Sequence, residues 1–433
     1  MSQPLHDRSG QEIQTDAAPA PADSLLTAQA AVRLIAGDSN SVIGLAKLAT
    51  MQFRGHDIME IYREVAALLE RDDANVAPLM DIAILDQFLG WPQRGLNIQA
   101  AALRAQQVFR VPSPVPTPRM RVVGFAMAGP INANTPIEFL IEDSDIDLYL
   151  VYIVPGLPVP EIPDHDLAIV LAAESEPGHV VLAELEALLA NWPRPVLNRP
   201  ELVPLLGRES LYRLVEGIEG IDIPATVRVD AETFAAIGSG EIQIEAALPD
   251  GGFPIIARPV DSHGGHGLEK LETFADVAEY LVRNPVPEYY LSRFVDYSSP
   301  DGYFRKYRIA VIDGVPFASH LAISSHWMIH FLNASMGESE EKRREEERFM
   351  DRFEVDFAAR HGAALAEMAK VSGLEYFGID CGETHDGKLL LFEADTSLIV
   401  HNMDSPVDFP YKDRHMRSLF QAFRAMLYRK AGV

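Results

Sequence analysis

The sequence predicts a mixed α/β and α+β chain capped by an N-terminal α-helical domain. Three observations carry that reading. Apolar residues at helical spacing fill the first quarter of the chain, and a run of alternating prolines at 111–118 ends it. From there to the C-terminus, short apolar strands alternate with helical stretches. The chain has 433 residues, 48% apolar and 23% charged, which is room for two or three domains with ample cores.

Residues 1–23 are polar, rich in Ala, Pro, Asp and Gln, and lack an apolar period, so a disordered tail is expected. Residues 24–111 form the helical domain. Ile58, Ile61, Tyr62, Val65, Leu68 and Leu69 line one face, behind an Asp57/Glu60 pair resembling a capping box. Further helices are expected at Leu26–Ile35, Val42–Phe53, Pro78–Leu89 and Ile98–Phe109. The array is loosely similar to tetratricopeptide hairpins that take a peptide partner. A plain helical cap on the next domain fits as well, because no clean repeat is present. Residues 112–118 read as a stiff proline linker.

Residues 119–197 predict a small α/β domain with a parallel sheet. Its strands are Arg121–Ala126, Leu148–Val154 and Leu167–Ala172, its helix Val180–Leu189. Between the first two strands, the Gly129–Thr135 turn is expected to lead into a helix opened by Thr135-Pro136. That turn suits either a polar ligand or a tight connection. Residues 198–433 continue the alternation. The run Glu340–Arg348 reads as a solvated helix face.

Composition excludes some partners. With 63 acidic against 37 basic residues the net charge is −26, a field that repels nucleic acid and anionic membranes. No apolar run approaches a membrane span, no signal peptide is evident, and the lone Cys381 cannot form an internal disulfide. A cytoplasmic chain is expected. An anionic ligand must therefore meet a local cluster of cations or a bridging metal.

Two segments supply such chemistry. The first is Phe253–Leu268, a glycine-rich loop with apolar runs on both sides. It does not run straight from strand into helix and lacks the Lys-Ser/Thr ending of a Walker loop. A hairpin flap fits: Gly264, Gly265 and Gly267 allow close backbone approach, Ser262 and His263 donate hydrogen bonds, and Arg258 supplies a fixed charge. A glycine-rich hairpin turn without a ligand is the alternative. The second segment is Leu389–Asp395. Glu393 and Asp395, two apart, follow a fully apolar strand. Asp380 ends another apolar stretch, and the turn at His385–Lys388 pairs the two strands as a hairpin. Three hard oxygen donors suit Mg²⁺; acids at exposed strand ends are the alternative. Between the segments, Lys306 and Arg308 share a strand face, whereas His320, His326 and His330 lack the partners of a zinc site.

From Asn198 to about His401 the order of these features resembles the ATP-grasp superfamily, in its glutathione synthetase-like branch. The matching segments are Asn198-Arg199-Pro200, Arg208, Ile223–Thr226, Ile255–Leu268, the strand 289–296, Arg308, Gly378–Asp380 and Phe392–Asp395. The resemblance implies a small α/β pre-ATP-grasp domain followed by a two-subdomain ATP-grasp fold that grips ATP. It places Arg208 and Arg258 where the family has phosphate-binding lysines, and Ser262, His263, Gly264, Gly265 and Gly267 in the phosphate flap. Ser292, Arg293 and Phe294 fall on the adenine hinge, Asp296 near the ribose acid, and Lys306 and Arg308 beside the transferred phosphate, Arg308 as the catalytic cation. Asp380, Glu393 and Asp395 match the magnesium ligands. Two departures stand out: both lysines are arginine, and the last metal position, usually asparagine, is Asp395.

The implied activity is an ATP- and Mg²⁺-dependent ligase joining small-molecule or peptide carboxylate and amine substrates through an acyl phosphate, with release of ADP and phosphate. The alternatives are phosphotransfer to another acceptor and a non-catalytic nucleotide- or peptide-binding module.

Overall fold

The computed structural model describes residues 27–433 except 36, 72–73, 261 and 263–264. The expected tail at 1–23 lies outside the described residues, as do His263 and Gly264 of the flap.

Five helices open the chain: α1 (Ala28–Ile35), α2 (Leu45–Phe53), α3 (Ile58–Arg71), α4 (Ala77–Phe88) and α5 (Pro92–Ala105). In α3, Ile61 and Val65 are buried on the expected face. Asp57 caps it by accepting from the Met59 amide at 2.9 Å. Proline stands in the first turn of α4 and again of α5, where no amide hydrogen is needed.

The expected helix 98–109 stops early. It ends at Ala105, and β1 (Val108–Val111) pairs antiparallel with β3 (Ile146–Ile153). Val108, Phe109 and Val111 favour extended backbone, and Phe109 is 1% exposed beneath the helical array. The proline segment is fastened too: Ser113 donates its amide to Asp147 at 2.8 Å and its hydroxyl to the Ser144 carbonyl.

β2 (Met120–Met127) runs parallel to β3 and to β4 (Leu167–Val170), and after α6 (Glu176–Leu189) β5 (Val196–Leu197) completes a sheet ordered β1-β3-β2-β4-β5. The helix expected at Thr135-Pro136 is absent; a 3₁₀ turn at Ile131–Ala133 and further turns replace it. The reason is local. Asn134 clamps both the amide and the carbonyl of Met127, and Thr135 bonds the Leu171 carbonyl, which pins the segment across the strand ends.

Next come α7 (Arg208–Val215) and β6 (Ile221–Asp222). Three residues, Ile223–Ala225, then carry the chain into a separate lobe. This lobe contains β7 (Thr226–Asp230), α8 (Ala231–Ser239), α9 (Ile244–Ala247), β8 (Ile255–Pro259), β9 (Glu269–Leu271), α10 (Phe274–Arg283) and β10 (Glu288–Arg293). Its sheet, ordered β7-β10-β8-β9, packs around Phe234, Tyr280 and Tyr289 as a core of its own. A Thr273/Asp276 capping box starts α10.

The chain returns through 294–303 into β11 (Phe304–Ile312) and β12 (Val315–Ser324). Their two-residue turn holds Asp313 and Gly314 at positive φ, as a tight hairpin requires. After α11 (Phe331–Ala334), α12 (Glu340–Asp351) and α13 (Phe357–Ser372), the hairpin of β13 (Tyr376–Glu383) and β14 (Leu389–Asp395) completes a third sheet, β12-β11-β13-β14-β6, and α14 (Lys412–Ala431) closes the chain. This sheet and the α/β sheet share one continuous core. Asn198, fully buried, joins them: its amide group bonds the backbone of Glu375 and Tyr376. Among the described residues, no helix is long and apolar enough to cross a membrane.

Candidate functional site

The third sheet sets three charged residues in one row. Arg308 on β11 is the register partner of Asp380 on β13, and Asp380 is the partner of Glu393 on β14. Asp395 lies two residues on, opposite Gly378. Asp380 is 2% exposed and clamped from one side. Arg308 Nε donates to its Oδ1 at 2.8 Å and Nη2 to Oδ2 at 2.9 Å; Lys306 Nζ donates to Oδ2 at 2.8 Å. Burial alone would raise the Asp380 carboxyl, but the Arg308 and Lys306 charges outweigh it and hold the group well below the usual carboxylate range.

Glu393 faces the next cation. Arg208, the first residue of α7, donates to its Oε2 at 2.9 Å. Asp395 accepts from Ser397, whose amide lies at 2.8 Å. Burial, aided by the Glu393 charge, pushes the Asp395 carboxyl up to about 6.

Arg258 comes from the other lobe, on β8, at the root of the flap. It is 9% exposed. Its guanidinium holds the carbonyl and the hydroxyl of Ser262, and among the described residues it forms no ion pair. Burial and the nearby Arg208 charge lower it to about 10, with Glu393 opposing. The structure therefore gathers Arg208, Arg258, Lys306 and Arg308 against Asp380, Glu393 and Asp395. Four cations thus meet three carboxylates here, with the Glu174 charge also bearing on Asp395, inside a chain of −26.

The glycine-rich loop is a strand–loop–strand hairpin as expected: β8 and β9 pair antiparallel across it. Gly265 and Gly267 both take positive φ, and a Cβ at Gly267 would collide with Pro259. A Cβ on Gly265 would meet the Met328 sulfur at 3.3 Å, so the tip lies against the segment after β12.

At the hinge, Ser292 and Arg293 end β10. Arg293 is pinned by Asp250 at 2.9 Å and Asp222 at 3.0 Å, so its charge ties the lobe to β6. The Phe294 ring meets Trp327 edge-on and carries the Lys270 ammonium 4.2 Å above its centre. Asp296 closes a turn by accepting from the Ser298 amide. The sequence reading missed Lys270, because a lone lysine in a short strand carries no signal.

It also missed a buried network beside Arg308. Glu346, within the run read as a solvated helix face, is fully buried. It accepts from His320 at 2.6 Å, from the Tyr411 hydroxyl at 2.6 Å and from Lys412 at 3.1 Å, while Lys412 also reaches Asp404 at 2.8 Å. Burial opposes the Glu346 charge, but His320 and Lys412 prevail and lower it to about 2. His401, part-buried nearby and touched by the same charges, is lowered to about 4, chiefly by desolvation. Only the i, i+4 surface of the other charges was legible.

The expected three-carboxylate magnesium cage needs a correction. Among the described residues, no group of three or more His, Cys, Asp or Glu could hold a metal ion. The physical reason is that Asp380 is engaged on both oxygens by Arg308 and Lys306. Glu393 and Asp395 keep the hard-donor chemistry of a two-carboxylate site, the kind that holds magnesium together with phosphate oxygens.

No protein-family model and no curated protein sequence matches the chain. Solved structures similar to it are ATP-grasp proteins and ligases. A RimK-domain ATP-grasp protein from Sphaerobacter thermophilus is 18% identical over 70% of this chain and 98% of its own, with a TM-score of 0.40. The VanG D-Ala:D-Ser ligase of Enterococcus faecalis is 12% identical over 71% and 99%, TM-score 0.42. The D-alanine–D-alanine ligase of Coxiella burnetii is 10% identical over 72% and 96%, TM-score 0.44.

Proposed function

We propose that the chain is an ATP-dependent carboxylate–amine ligase of the ATP-grasp type. One observation carries the reading: Arg258 is a buried cation with no acidic partner among the described residues, at the root of a glycine flap and close to the Arg208 charge. A buried guanidinium left unpaired costs several kcal/mol, and an incoming polyphosphate relieves that cost.

In this reading Arg258, Arg208 and the flap amides take the inner phosphates. Arg308 and Lys306 neutralise charge on the transferred phosphoryl group, with Asp380 fixing their direction. Glu393 and Asp395 would hold magnesium, which would supply Lewis-acid neutralisation of phosphate charge. Phe294 and Lys270 border the base. A substrate carboxylate oxygen attacks the γ-phosphorus and ADP leaves. An amine then adds to the acyl carbon of the acyl phosphate, loses its proton, and expels phosphate as the amide forms.

Product analysis tests this. Turnover with pools of carboxylic acids and amines yields ADP and phosphate in equal amounts, and hydroxylamine in place of the amine yields a hydroxamate. AMP and pyrophosphate, or ADP with a stable phosphorylated product and no hydroxamate, would each refute the ligase reading.

A further inference from the structure

We propose that a hollow between the helical array and the α/β sheet binds a short aliphatic primary amine, held as its ammonium by Glu138 and the Tyr152 hydroxyl. The site is separate from the phosphate cluster, and no part of the ligase reading uses it. The hollow is about 70 Å³, room for roughly five waters or a small organic molecule. Its walls are mostly apolar, with Met80, Ile84, Phe109 and Leu150 among them. The Gly129–Thr135 turn forms its rim, held there by Gln99 and Gln87, which accept from the Gly129 and Ile131 amides.

Two acids stand at this hollow, beside the first turn of α2. Backbone amides at the start of α2 engage both. Asp81 is fully buried and both its oxygens accept backbone amides, from Ile43 at 2.9 Å and Gly44 at 3.0 Å. Glu138 is only partly buried; its Oε2 accepts the Ala46 amide at 3.1 Å. A Cβ on Gly44 would stand 2.5 Å from that oxygen, so glycine lets the carboxylate in.

Capping does not account for Tyr152. The residue is 9% exposed and lines the hollow, yet its hydroxyl makes no hydrogen bond among the described residues. The charges of Glu138 and Asp81 both bear on it. Lys47, whose charge bears on both acids, makes no ion pair with either among the described residues and shares a neighbouring hollow with Glu138, Glu142 and Asp143. Burial pushes both acids up to about 7, with the Lys47 charge opposing.

An ammonium group supplies what is missing. It brings positive charge to Glu138 and donors enough to bond both the carboxylate and the tyrosine oxygen, while an alkyl chain fills the apolar walls. The lining holds no Lys, Arg or His, so the carboxylate of an amino acid would find no partner there. A simple amine is therefore favoured over an amino acid.

Calorimetric titration of the full chain with n-propylammonium chloride at pH 8 tests this, against 1-propanol and glycine. The expected result is saturable binding at one site, with 1-propanol and glycine each weaker by roughly tenfold or more. Glu138→Gln and Tyr152→Phe should each weaken propylammonium by roughly tenfold. Tyr152→Phe keeps the ring and its packing, so it carries the test if Glu138→Gln fails to fold. Propylammonium binding no better than 1-propanol, glycine binding as tightly, or a folded Tyr152→Phe protein binding like wild type would each overturn the proposal.

Discussion

Arg208 and Glu393, 185 residues apart in the chain, meet at 2.9 Å, and Arg258 from the other lobe feels both charges. The contact joins the start of α7 to the end of β14 and places an arginine pair over the acid row. Three groups that no local pattern links thereby become one electrostatic unit.

Arg258→Leu should uncouple binding from folding. The variant loses a buried cation that has no acidic partner among the described residues, so stability should hold or rise, as it does when buried charges give way to apolar residues. Nucleotide affinity should fall by roughly 1.5–3 kcal/mol, about 10- to 150-fold. Calorimetry with MgATP beside a urea melt checks both; equal affinity for the two proteins would remove Arg258 from the site.

Asp380→Asn and Glu393→Gln should differ in kind. The first strands Arg308 and Lys306 around a neutral group and should cost roughly 3 kcal/mol of stability. The second leaves Arg208 part-exposed to water, at 28% of its side chain, so folding should change by roughly 1 kcal/mol or less. Both should lose magnesium-dependent turnover. Denaturation midpoints separate them, and matching losses of stability would contradict the clamp.

The Glu346 network fixes an acid limb of stability. The folded pKa of Glu346 is depressed to about 2 from 4.5. Its contribution is thus complete above about pH 4.5 and is lost as pH falls towards 2. Glu346→Gln should be less stable at pH 7 and should flatten the decline of wild-type stability between pH 4.5 and 2. A variant with an unchanged acid limb would show that other carboxylates govern it.

Removing residues 1–112 should destabilise what remains. The cut takes away β1, a paired strand, and uncovers Ala126 and Tyr152, which pack under Met80, Leu103 and Phe109. It also uncovers Phe139, which packs with Ala46 and with Met403 of the 396–411 segment that carries Ile399, a partner of Arg308. The truncated protein should melt well below the full chain and bind ANS. A melting temperature matching the full chain would make the helical array an independent appendage.

Much of the third sheet and the flap was legible, because both rest on local signals. Four apolar residues before Glu393, a turn at 385–388, and glycines between two apolar runs each dictate backbone directly. The α3 face was legible for the same reason. What failed depended on partners distant in sequence. Phe109 continues a helical pattern on paper, but the edge of β3 offers it a strand. The Thr135-Pro136 signal for a helix was real, yet Asn134 and Thr135 use their side chains on Met127 and Leu171 instead. Glu346 looks like its neighbours in Glu340–Arg348, and only the arrival of Lys412 and His320 marks it as interior. The engagement of Asp380 by two cations was equally hidden, since register across β11 and β13 decides it.

The two crossings into the flap lobe differ greatly in length, and this sets how the lobe can travel. Ile223–Ala225 is a leash of three residues, spanning at most about 11 Å when taut, whereas 294–303 runs to ten. A short leash allows swing and forbids glide. A swing of the lobe would pivot near β6, where Arg293 grips Asp222. Stiffening that corner is consequently a handle on access to the cleft that leaves every charged group in place.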